Sequence, residues 1–301
     1  MKKRILALFL IICIILPAAG CSKSSYGSTL TVTFIDVGQG DAALVECGGE
    51  YMLIDTGPDK NTSIEKIKNL LLEKHILTLK YLVISHMHDD HYGGLIKDAL
   101  RNVKIETTLC NEDPHENSSV ISHLDGSRLI IPTPGEQGYT LGSATIEIID
   151  VRADQPNDSL VLLITHGKTS FLFTGDIEKD AQSRAAAKLR EMSDKLENGE
   201  NLIKMPHHGA YNSDQYLPNN AYDNSLGTLV SAAYAKYFVI SVGKNNSYGH
   251  PHRDTLDLID RVLKIHNLDP STHLFQTDDD CGDIVATSDG KKITISRQGL
   301  S

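Results

Sequence analysis

One short stretch constrains this chain more than any other. Residues 85–94 read SHMHDDHYGG, so three histidines and an adjacent carboxylate fall within six residues. The stretch follows residues 81–85, YLVIS, an apolar run that predicts a short buried strand. Imidazole nitrogens and carboxylate oxygens are the ligands that zinc and similar divalent ions prefer. The pattern therefore predicts a metal site at the end of a strand.

The spacing within this stretch explains how it could hold more than one ion. Alternate residues of an extended backbone share a face, so His86 and His88 can bind the same ion. Where the chain turns towards the following helix, Asp90 and His91 can reach a second ion a few ångströms away. The alternatives are a histidine-rich surface loop, or histidines that only cap the next helix.

The rest of the chain alternates between strand and helix patterns. Helices are predicted at residues 63–76, 178–196 and 254–266, and strands at residues 30–37, 42–46, 51–54, 81–85, 146–151, 160–165, 170–173, 202–205, 237–242, 284–287 and 292–296. A mixed order with no internal repeat or break predicts one layered α/β domain over residues 30–301.

The N-terminus has the pattern of a secretion signal. Residues 1–20 combine a basic start, an apolar run and small residues, and the run is too short to span a bilayer comfortably. Cys21 directly follows, as in a bacterial lipobox, although Ala18 stands where a larger aliphatic residue is usual. We expect lipidation of Cys21, a polar tether over residues 21–29 and an extracytoplasmic location on the bacterial cell membrane. An ordinary signal peptide or an uncleaved anchor is the alternative.

The charge and the cysteine content of the chain limit the classes of protein to which it can belong. The chain has 29 basic and 39 acidic residues and a net charge of −10, which excludes a polybasic nucleic-acid binder. Any binding to nucleic acid must come from a local patch or from bound metal. Apart from the N-terminal pair, the cysteines are Cys47, Cys110 and Cys281, and no CxxC occurs. One disulfide among these three is compatible with an oxidising compartment, but the sequence does not select the pair.

The metal-site stretch and three later motifs resemble the metallo-β-lactamase superfamily. The HxHxDH pattern is its signature, and residues 53–57 (LIDTG), 174–176 (TGD) and 206–209 (PHHG) resemble its other motifs in order. The resemblance implies an αββα sandwich that binds two divalent ions. It implies a supporting role for Asp55 and, as metal ligands, His86, His88, Asp90, His91, Asp176 and one of His207 and His208. Because strand side chains alternate, we expect only one of that last pair to be a ligand, and His208, next to Gly209, is preferred.

One motif departs from the superfamily pattern. The histidine usual before TGD is missing, and residues 155–162 read QPNDSLVL; His166 falls in a predicted hairpin turn at the far end of the sheet. Asn157 with its neighbours, residues 34–41 (FIDVGQGD) and residues 248–252 (YGHPH) resemble the extracytoplasmic hydrolase domain of ComEC-type competence proteins. Loss of one imidazole leaves an oxygen ligand or water on the first ion, which loosens the selectivity for zinc and makes manganese an alternative.

Several residues near these motifs are candidates for substrate contacts. His250 can hydrogen-bond a scissile phosphate or protonate the leaving oxygen, or else only fix its local backbone. Lys204, Lys244 and Arg253 are either phosphate contacts or solvated surface cations. Asp36 and Asp41 flank Gly38 and Gly40, which predict a tight turn close to the site, and both carboxylates are expected to be structural. The other histidines match no motif: His75, His115, His123, His266 and His273.

The resemblance implies a metal-dependent phosphodiesterase at the cell surface, in which two ions, zinc or manganese, activate water. Asp90, Asp176 and His250 are its candidate catalytic residues. Its substrate would be a phosphodiester such as single-stranded DNA, and no obligate protein partner is indicated. A small-phosphoester hydrolase of the phosphorylcholine type and a non-catalytic metal-binding lipoprotein are the alternatives. β-Lactamase activity is disfavoured because the third histidine and an apolar drug-binding loop are missing.

Overall fold

Two sheets and their flanking helices make up the structure, a computed structural model that describes residues 27–112, 114, 118–211, 224–278 and 282–298. The strands are β1 (Leu30–Phe34), β2 (Ala43–Cys47), β3 (Glu50–Ile54), β4 (Thr78–Ile84), β5 (Lys104–Cys110), β6 (Arg128–Ile130), β7 (Tyr139–Leu141), β8 (Ala144–Asp150), β9 (Val161–His166), β10 (Thr169–Phe173), β11 (Glu200–Lys204), β12 (Tyr237–Ser241), β13 (Leu274–Thr277), β14 (Asp283–Ser288) and β15 (Ile293–Gln298). The helices are α1 (Asn61–Glu73), α2 (Asp89–Ile96), α3 (Ser118–Ile121), α4 (Lys179–Arg190), α5 (Ser193–Leu196), α6 (Ser225–Ala232), α7 (Arg253–Ile265) and α8 (Pro270–His273).

The layers confirm the predicted αββα sandwich. One sheet has the order β15-β14-β1-β2-β3-β4-β5-β6 and the other the order β13-β12-β11-β10-β9-β8-β7. Their inner faces share one apolar core, in which the rings of Phe34 and Phe173 stack with centroids 5.7 Å apart. The first sheet is covered outside by α1, α2 and α3, and the second by α4, α6 and α7. Burying each large apolar side chain stabilises this arrangement by roughly 1.5–3 kcal/mol.

Strand direction gathers the polar loops at one edge. In the first sheet β3 and β4 are parallel, and in the second β10, β11 and β12 are parallel. Parallel strands end at the same side, so the segments after all five strands lie together. The loop before β9 joins them because β9 runs antiparallel to β10. The predicted motifs follow β3, β4, β10 and β11, and this topology brings them to a common edge.

Some predicted elements differ in detail. Residues 178–196 form two helices, α4 and α5, because Met192 leaves the helical region (φ −109°, ψ 12°) and the chain bends to bury Leu196. The strand predicted over residues 30–37 is shorter, because β1 ends at Phe34 and the chain continues as the loop that leads to this common edge. Helix α6 and strand β13 were not predicted, since each is short and lacks a clear periodic pattern.

The N-terminal predictions fall on residues that the structure does not describe. These are residues 1–26, including Cys21, and Cys281 likewise lies outside the described ranges. Cys47 and Cys110 are buried at the ends of β2 and β5. The signal and the lipidation therefore stay predictions, whereas Cys47 is a free thiol, so the structure contains no Cys47–Cys110 disulfide. Among the described helices, none is long and apolar enough to cross a membrane.

Candidate metal centre

Four side chains from three separate segments converge at this edge. Asp90 and His91 lie in the first turn of α2, Asp176 follows β10, and His208 lies in the turn Pro206–Gly209 after β11. One ligand atom from each of these four residues lies within 4.8 Å of the other three. His91, Asp176 and His208 are 2% exposed or less. The arrangement is a candidate binding site for a divalent metal ion.

His91 is oriented from behind by a carboxylate. Its Nδ1 donates to Asp55 Oδ2 at 2.9 Å, and Asp55 also accepts hydrogen bonds from the amide and hydroxyl of Ser85, both at 2.7 Å. This leaves His91 Nε2 facing Asp176 Oδ1 at 3.2 Å. Among the described residues neither of these buried atoms has a hydrogen-bond partner. A carboxylate behind a histidine with a free inner nitrogen is the usual support of a metal ligand.

His208 has the same orientation towards the centre. Its Nδ1 donates to the carbonyl of Ser241 at 2.9 Å. Its Nε2 lies 3.1 Å from Asp90 Oδ2 and 3.6 Å from Asp176 Oδ2. The inner nitrogen is therefore the atom available to a metal, which agrees with the preference for His208 over its neighbour.

His207 lies at the open side of the centre. Its Nδ1 is 3.0 Å from Glu178 Oε1 and its Nε2 is 3.8 Å from Asp176 Oδ2, with a quarter of the side chain exposed. The expected strand alternation was the wrong reason for separating the two histidines. Both have left-handed backbones (φ 48° for His207 and 53° for His208), so they belong to a turn.

His86 and His88 form the adjoining part of the centre. His86 Nε2 lies 3.0 Å from His88 Nδ1 and 4.0 Å from Asp176 Oδ2. Two imidazole nitrogens this close suit two ligands of one ion, which a tetrahedral site places about 3.3 Å apart. His88 precedes α2 but makes no side-chain capping hydrogen bond, and His86 is buried. A capping role and a surface loop are both wrong for this pair.

The segment without the usual histidine supports the centre through a hydroxyl. Ser159 Oγ accepts a hydrogen bond from the amide of Asp176 at 3.0 Å and lies 3.4 Å from His86 Nδ1. Asn157 is further out, where its amide donates to Glu178 Oε1 at 2.6 Å. Sequence analysis selected none of Ser159, Ser85 and Glu178: Ser159 lies in the NDSL segment that resembles ComEC-type domains, whereas Ser85 and Glu178 carry no spacing signal.

The clustered charges shift each other's pKa values. Burial alone would lower the pKa of His91, but the Asp176 and Asp55 carboxylates outweigh it and hold that pKa well above its usual value. Burial would raise the pKa of Asp176, but His91 and then His208 hold it well below its usual range. Burial would lower the pKa of His208, but Asp176 and Asp41 raise it to about 9. Burial lowers the pKa of His86 to about 3. Protons on His91 and His208 therefore balance the Asp176 charge, and a metal ion held by these atoms would replace those protons.

Lys204 is neither a surface cation nor a residue that can reach substrate. It is 3% exposed, forms an ion pair with Asp41, and places Nζ 3.3 Å from the carbonyl of Gly175. Burial opposes its charge, but Asp41 and Asp176 raise the pKa of Lys204. Asp41 Oδ1 in turn lies 3.5 Å from His208 Nδ1. The pair is a charged support beneath the metal ligands, and one oxygen of Asp41 also lies within 4.8 Å of ligand atoms of Asp55 and His91, a second group that could hold an ion.

Two glycines permit close packing around the centre. Gly40 has φ +150°, and a Cβ there would lie 2.5 Å from the carbonyl oxygen of Asp90. A Cβ on Gly94 in α2 would lie 2.1 Å from the carbonyl oxygen of Thr56. The predicted tight turn next to the site is thus confirmed at Gly40. Asp36 in the same loop is structural, since it pairs with Lys66 at 2.7 Å.

His250 lies next to the centre rather than within it. Its ring centroid is 6.2 Å from that of His208 and 5.6 Å from that of His207. Burial and the neighbouring imidazoles lower the pKa of His250 to about 4. Gln39 Nε2 lies 3.4 Å from His250 Nδ1. Sequence analysis did not select Gln39, although it lies in the FIDVGQGD motif.

The other residues that the sequence analysis considered lie outside the metal centre. Arg253 pairs with Asp257 at 2.9 Å at the start of α7, on the surface. Lys244 is exposed in the loop after β12. His166 Nδ1 contacts Ser288 Oγ at 2.9 Å at the far end of β9. His115 lies outside the described residues.

The αββα fold and the cluster of metal-binding side chains are those of a metal-dependent hydrolase. The chain belongs to the metallo-beta-lactamase superfamily. The family model matches residues 35–272. Among solved structures, the chain resembles Igni18, a metallo hydrolase from the archaeon Ignicoccus hospitalis, with a TM-score of 0.50 and 14% identity over 89% of this chain and 98% of that one. This likeness shows the fold alone.

Two curated relatives support the closeness to ComEC-type proteins. ComE operon protein 3 of Bacillus subtilis is 26% identical over 76% of this chain, and Recombination protein 2 of Haemophilus influenzae is 27% identical over 77%. The match covers 30% and 27% of the two relatives, so the chain spans less than a third of their length.

Proposed function

We propose that this protein is a phosphodiesterase that hydrolyses DNA by metal-dependent attack of water. The observation that carries the proposal is the convergence of Asp90, His91, Asp176 and His208 within 4.8 Å, with His86 and His88 alongside. Carboxylates and imidazoles in one cluster suit divalent ions that stabilise negative charge on a phosphate. The name of one relative, Recombination protein 2, refers to recombination, which acts on DNA, and supports DNA as the proposed substrate.

Two ions, zinc or manganese, fit the donor atoms. Asp176 lies between the two groups of histidines: its carboxylate oxygens are 3.2 Å from His91 Nε2, 3.6 Å from His208 Nε2 and 4.0 Å from His86 Nε2, so this residue would contribute to both positions. His86 and His88 contribute to one position, and His91, His208 and Asp90 contribute to the other. Bound ions would lower the pKa of water and neutralise the phosphate oxygens. With no third histidine on the first position, manganese fits as well as zinc.

The chain's own residues hold the substrate phosphate beside this cluster. With its pKa lowered to about 4, His250 is neutral at pH 7 and cannot serve as an imidazolium acid. The side-chain amide of Gln39 donates to Nδ1, so the proton of His250 is on Nε2. His250 Nε2–H therefore acts as a hydrogen-bond donor to a phosphate oxygen, which favours this role over protonation of the leaving oxygen.

We further propose that the protein acts at the outer face of the membrane, anchored through a lipid on Cys21. Residues 1–20 with the following cysteine support this location. Cells fed a radiolabelled fatty acid should label the wild-type protein in its membrane fraction. A Cys21→Ser variant that keeps the label would contradict the anchor.

The activity is tested with purified protein and either zinc or manganese. Single-stranded DNA, a chromogenic phosphodiester and a phosphorylcholine ester are supplied in parallel, and hydrolysis of the first two is expected. Asp90→Ala and Asp176→Ala should abolish hydrolysis while circular dichroism shows a folded protein. Cleavage of the phosphorylcholine ester alone would refute the nuclease, and activity that survives both substitutions would refute the metal-centre mechanism.

A further inference from the structure

The edge of the molecule opposite the metal centre exposes apolar side chains. This remote edge is the one at which β3, β4 and β5 begin. Among the residues that the structure describes, the three most exposed large apolar side chains are Leu72, Leu77 and Ile265, with exposed fractions of 70%, 74% and 76%. Leu72 lies in the last turn of α1, and Leu77 directly precedes β4. Ile265 ends α7, which starts beside the metal-site turn, where the amide of His252 donates to the carbonyl of Gly209 at 3.0 Å. All three side chains therefore lie at the remote edge.

Leu72 and Leu77 belong to one continuous surface. Both line a groove of about 280 Å³ between the end of α1 and the segment before β5, and we call the two leucines with this groove the leucine surface. Their sequence neighbours Leu71 and Ile76 are buried, whereas the two leucines point into solvent. The backbone fixes this geometry, because the amide of Lys104 donates to the carbonyl of Leu77 at 2.9 Å. Exposed apolar side chains that share one groove indicate an interaction surface.

The charge of the leucine surface is opposite to that of the whole chain. The described residues that line its groove include Lys68 and Arg101 and no acidic residue. Lys68 lies one helical turn before Leu72, and Arg101 is exposed, with a long contact of 3.9 Å to Asp98. The chain has a net charge of −10, so an anionic surface repels it except where basic groups lie. Apolar side chains beside lysine and arginine match the interface of a bilayer with anionic headgroups.

The chain enters the fold at the remote edge. Leu30, the first residue of β1, pairs with Cys47 of β2, and Cys47 pairs with Glu50 at the start of β3. Because β4 runs parallel to β3, Leu30 and the start of β4 lie at the same edge, about 15 Å apart across three strand spacings. Residues 22–29 can reach at most about 29 Å when extended. A lipid on Cys21 would therefore hold the remote edge close to the membrane.

We propose that the leucine surface docks onto the lipid bilayer, with Leu72 and Leu77 inserted among the headgroups and with Lys68 and Arg101 against the phosphates of anionic phospholipids. This inference rests on the proposed location at the membrane and adds an orientation to it. The seven residues of β4 span about 20 Å between the leucine surface and the metal-site edge. A docked molecule therefore presents its metal centre to the aqueous side, where a dissolved substrate can reach it.

The apolar contact is tested by sedimentation with vesicles made of equal parts phosphatidylcholine and phosphatidylglycerol. Residues 22–301 are used, because they lack the lipid and keep every helix and strand that the structure describes. Leu72→Ser combined with Leu77→Ser should weaken vesicle binding at least about tenfold, since both side chains leave the bilayer. Ile131→Ser is the control, because Ile131 is exposed after β6, at the metal-site edge, and should bind as the wild type does. A wild type that does not bind, or a double variant that binds equally well, would overturn the proposal.

The basic contact is tested in the same assay. Lys68→Ala should weaken binding to the mixed vesicles about fivefold and should have little effect on the weaker binding to vesicles of phosphatidylcholine alone. Lys60→Ala removes the same charge at the other end of α1, towards the metal centre, and should leave binding unchanged. An equal loss of binding in both lysine variants would show that only net charge matters, and would contradict a docked orientation.

Two further measurements separate this inference from a protein partner and from the proposed function. Light scattering without lipid should show a monomer, and a dimer that the double leucine variant dissociates would overturn lipid docking in favour of a second copy. The double variant should hydrolyse the chromogenic phosphodiester as fast as the wild type, because the metal centre lies at the other edge. A wild type that hydrolyses the diester without binding vesicles would refute the docking alone. One that binds vesicles but hydrolyses no phosphodiester would support the docking and refute the proposed activity.

Discussion

Replacing Lys204 by methionine removes a buried charge beneath the metal ligands and nearly preserves the side-chain volume. Lys204 is 3% exposed and Asp41, its ion-pair partner, is 6% exposed. Burial would raise the pKa of Asp41, but Lys204 and His208 hold it well below its usual range. Without the lysine, the Asp41 carboxylate stays buried, with its nearest compensating charge 3.5 Å away on His208.

The size of the effect follows from this burial. Removing one partner of a buried ion pair typically destabilises a protein by about 3–5 kcal/mol, because the other charge remains uncompensated. Replacing both partners is much less costly, so Lys204→Met with Asp41→Asn should recover part of the loss. The matched control is Lys236→Met. Lys236 pairs with Glu200 at 3.0 Å on the surface, where an ion pair contributes about 0–1 kcal/mol.

Urea denaturation with a chelator present measures the free energy of unfolding of the metal-free protein for wild type and all variants. We expect Lys204→Met to lose about 3–5 kcal/mol and Lys236→Met about 1 kcal/mol or less. A Lys204→Met protein as stable as Lys236→Met would refute the account of Lys204 as a charged support. A double variant less stable than either single variant would refute it as well.

Three further predictions concern the same edge. His208, with its pKa raised to about 9, is protonated at pH 7 and must lose that proton to bind metal. Between pH 7 and pH 9 the affinity for metal should therefore rise about tenfold per pH unit for each proton released. A metal affinity that calorimetry finds to be independent of pH would contradict this requirement. Ser159→Ala leaves a buried amide without its acceptor and should lower stability by about 1–3 kcal/mol in thermal denaturation, whereas Ser122→Ala on the surface should change it by less than about 0.5 kcal/mol. Gly94→Ala places a Cβ 2.1 Å from a backbone oxygen, so we expect the protein to lose metal binding or soluble yield, and normal values of both would refute the packing argument.

The layered fold and the location of the site follow from local sequence signals. The apolar run over residues 81–85 and the HxHxDH pattern after it are both local, and β4 and α2 lie where these signals predict them. Parallel strands bring the later motifs to the same edge by geometry alone, so Asp176 and His208 join the cluster.

The supporting contacts could not be predicted because they depend on which segments meet in space. Ser159 contacts Asp176 and His86 across 17 and 73 residues of sequence, and the NDSL segment that contains it does not indicate which residues it meets. Lys204 illustrates the same difficulty. Its location beside the PHHG motif suggested a surface cation or a phosphate contact, but burial and pairing with Asp41 are properties of the tertiary packing.

The most direct test of the central claim is anomalous X-ray diffraction at the zinc or manganese edge from crystals of the metal-loaded protein. The account predicts two peaks that share the carboxylate of Asp176. One peak should lie against His86 and His88, and the other against His91 and His208. No peak at this edge, or ions bound without contact to Asp176, would contradict the account.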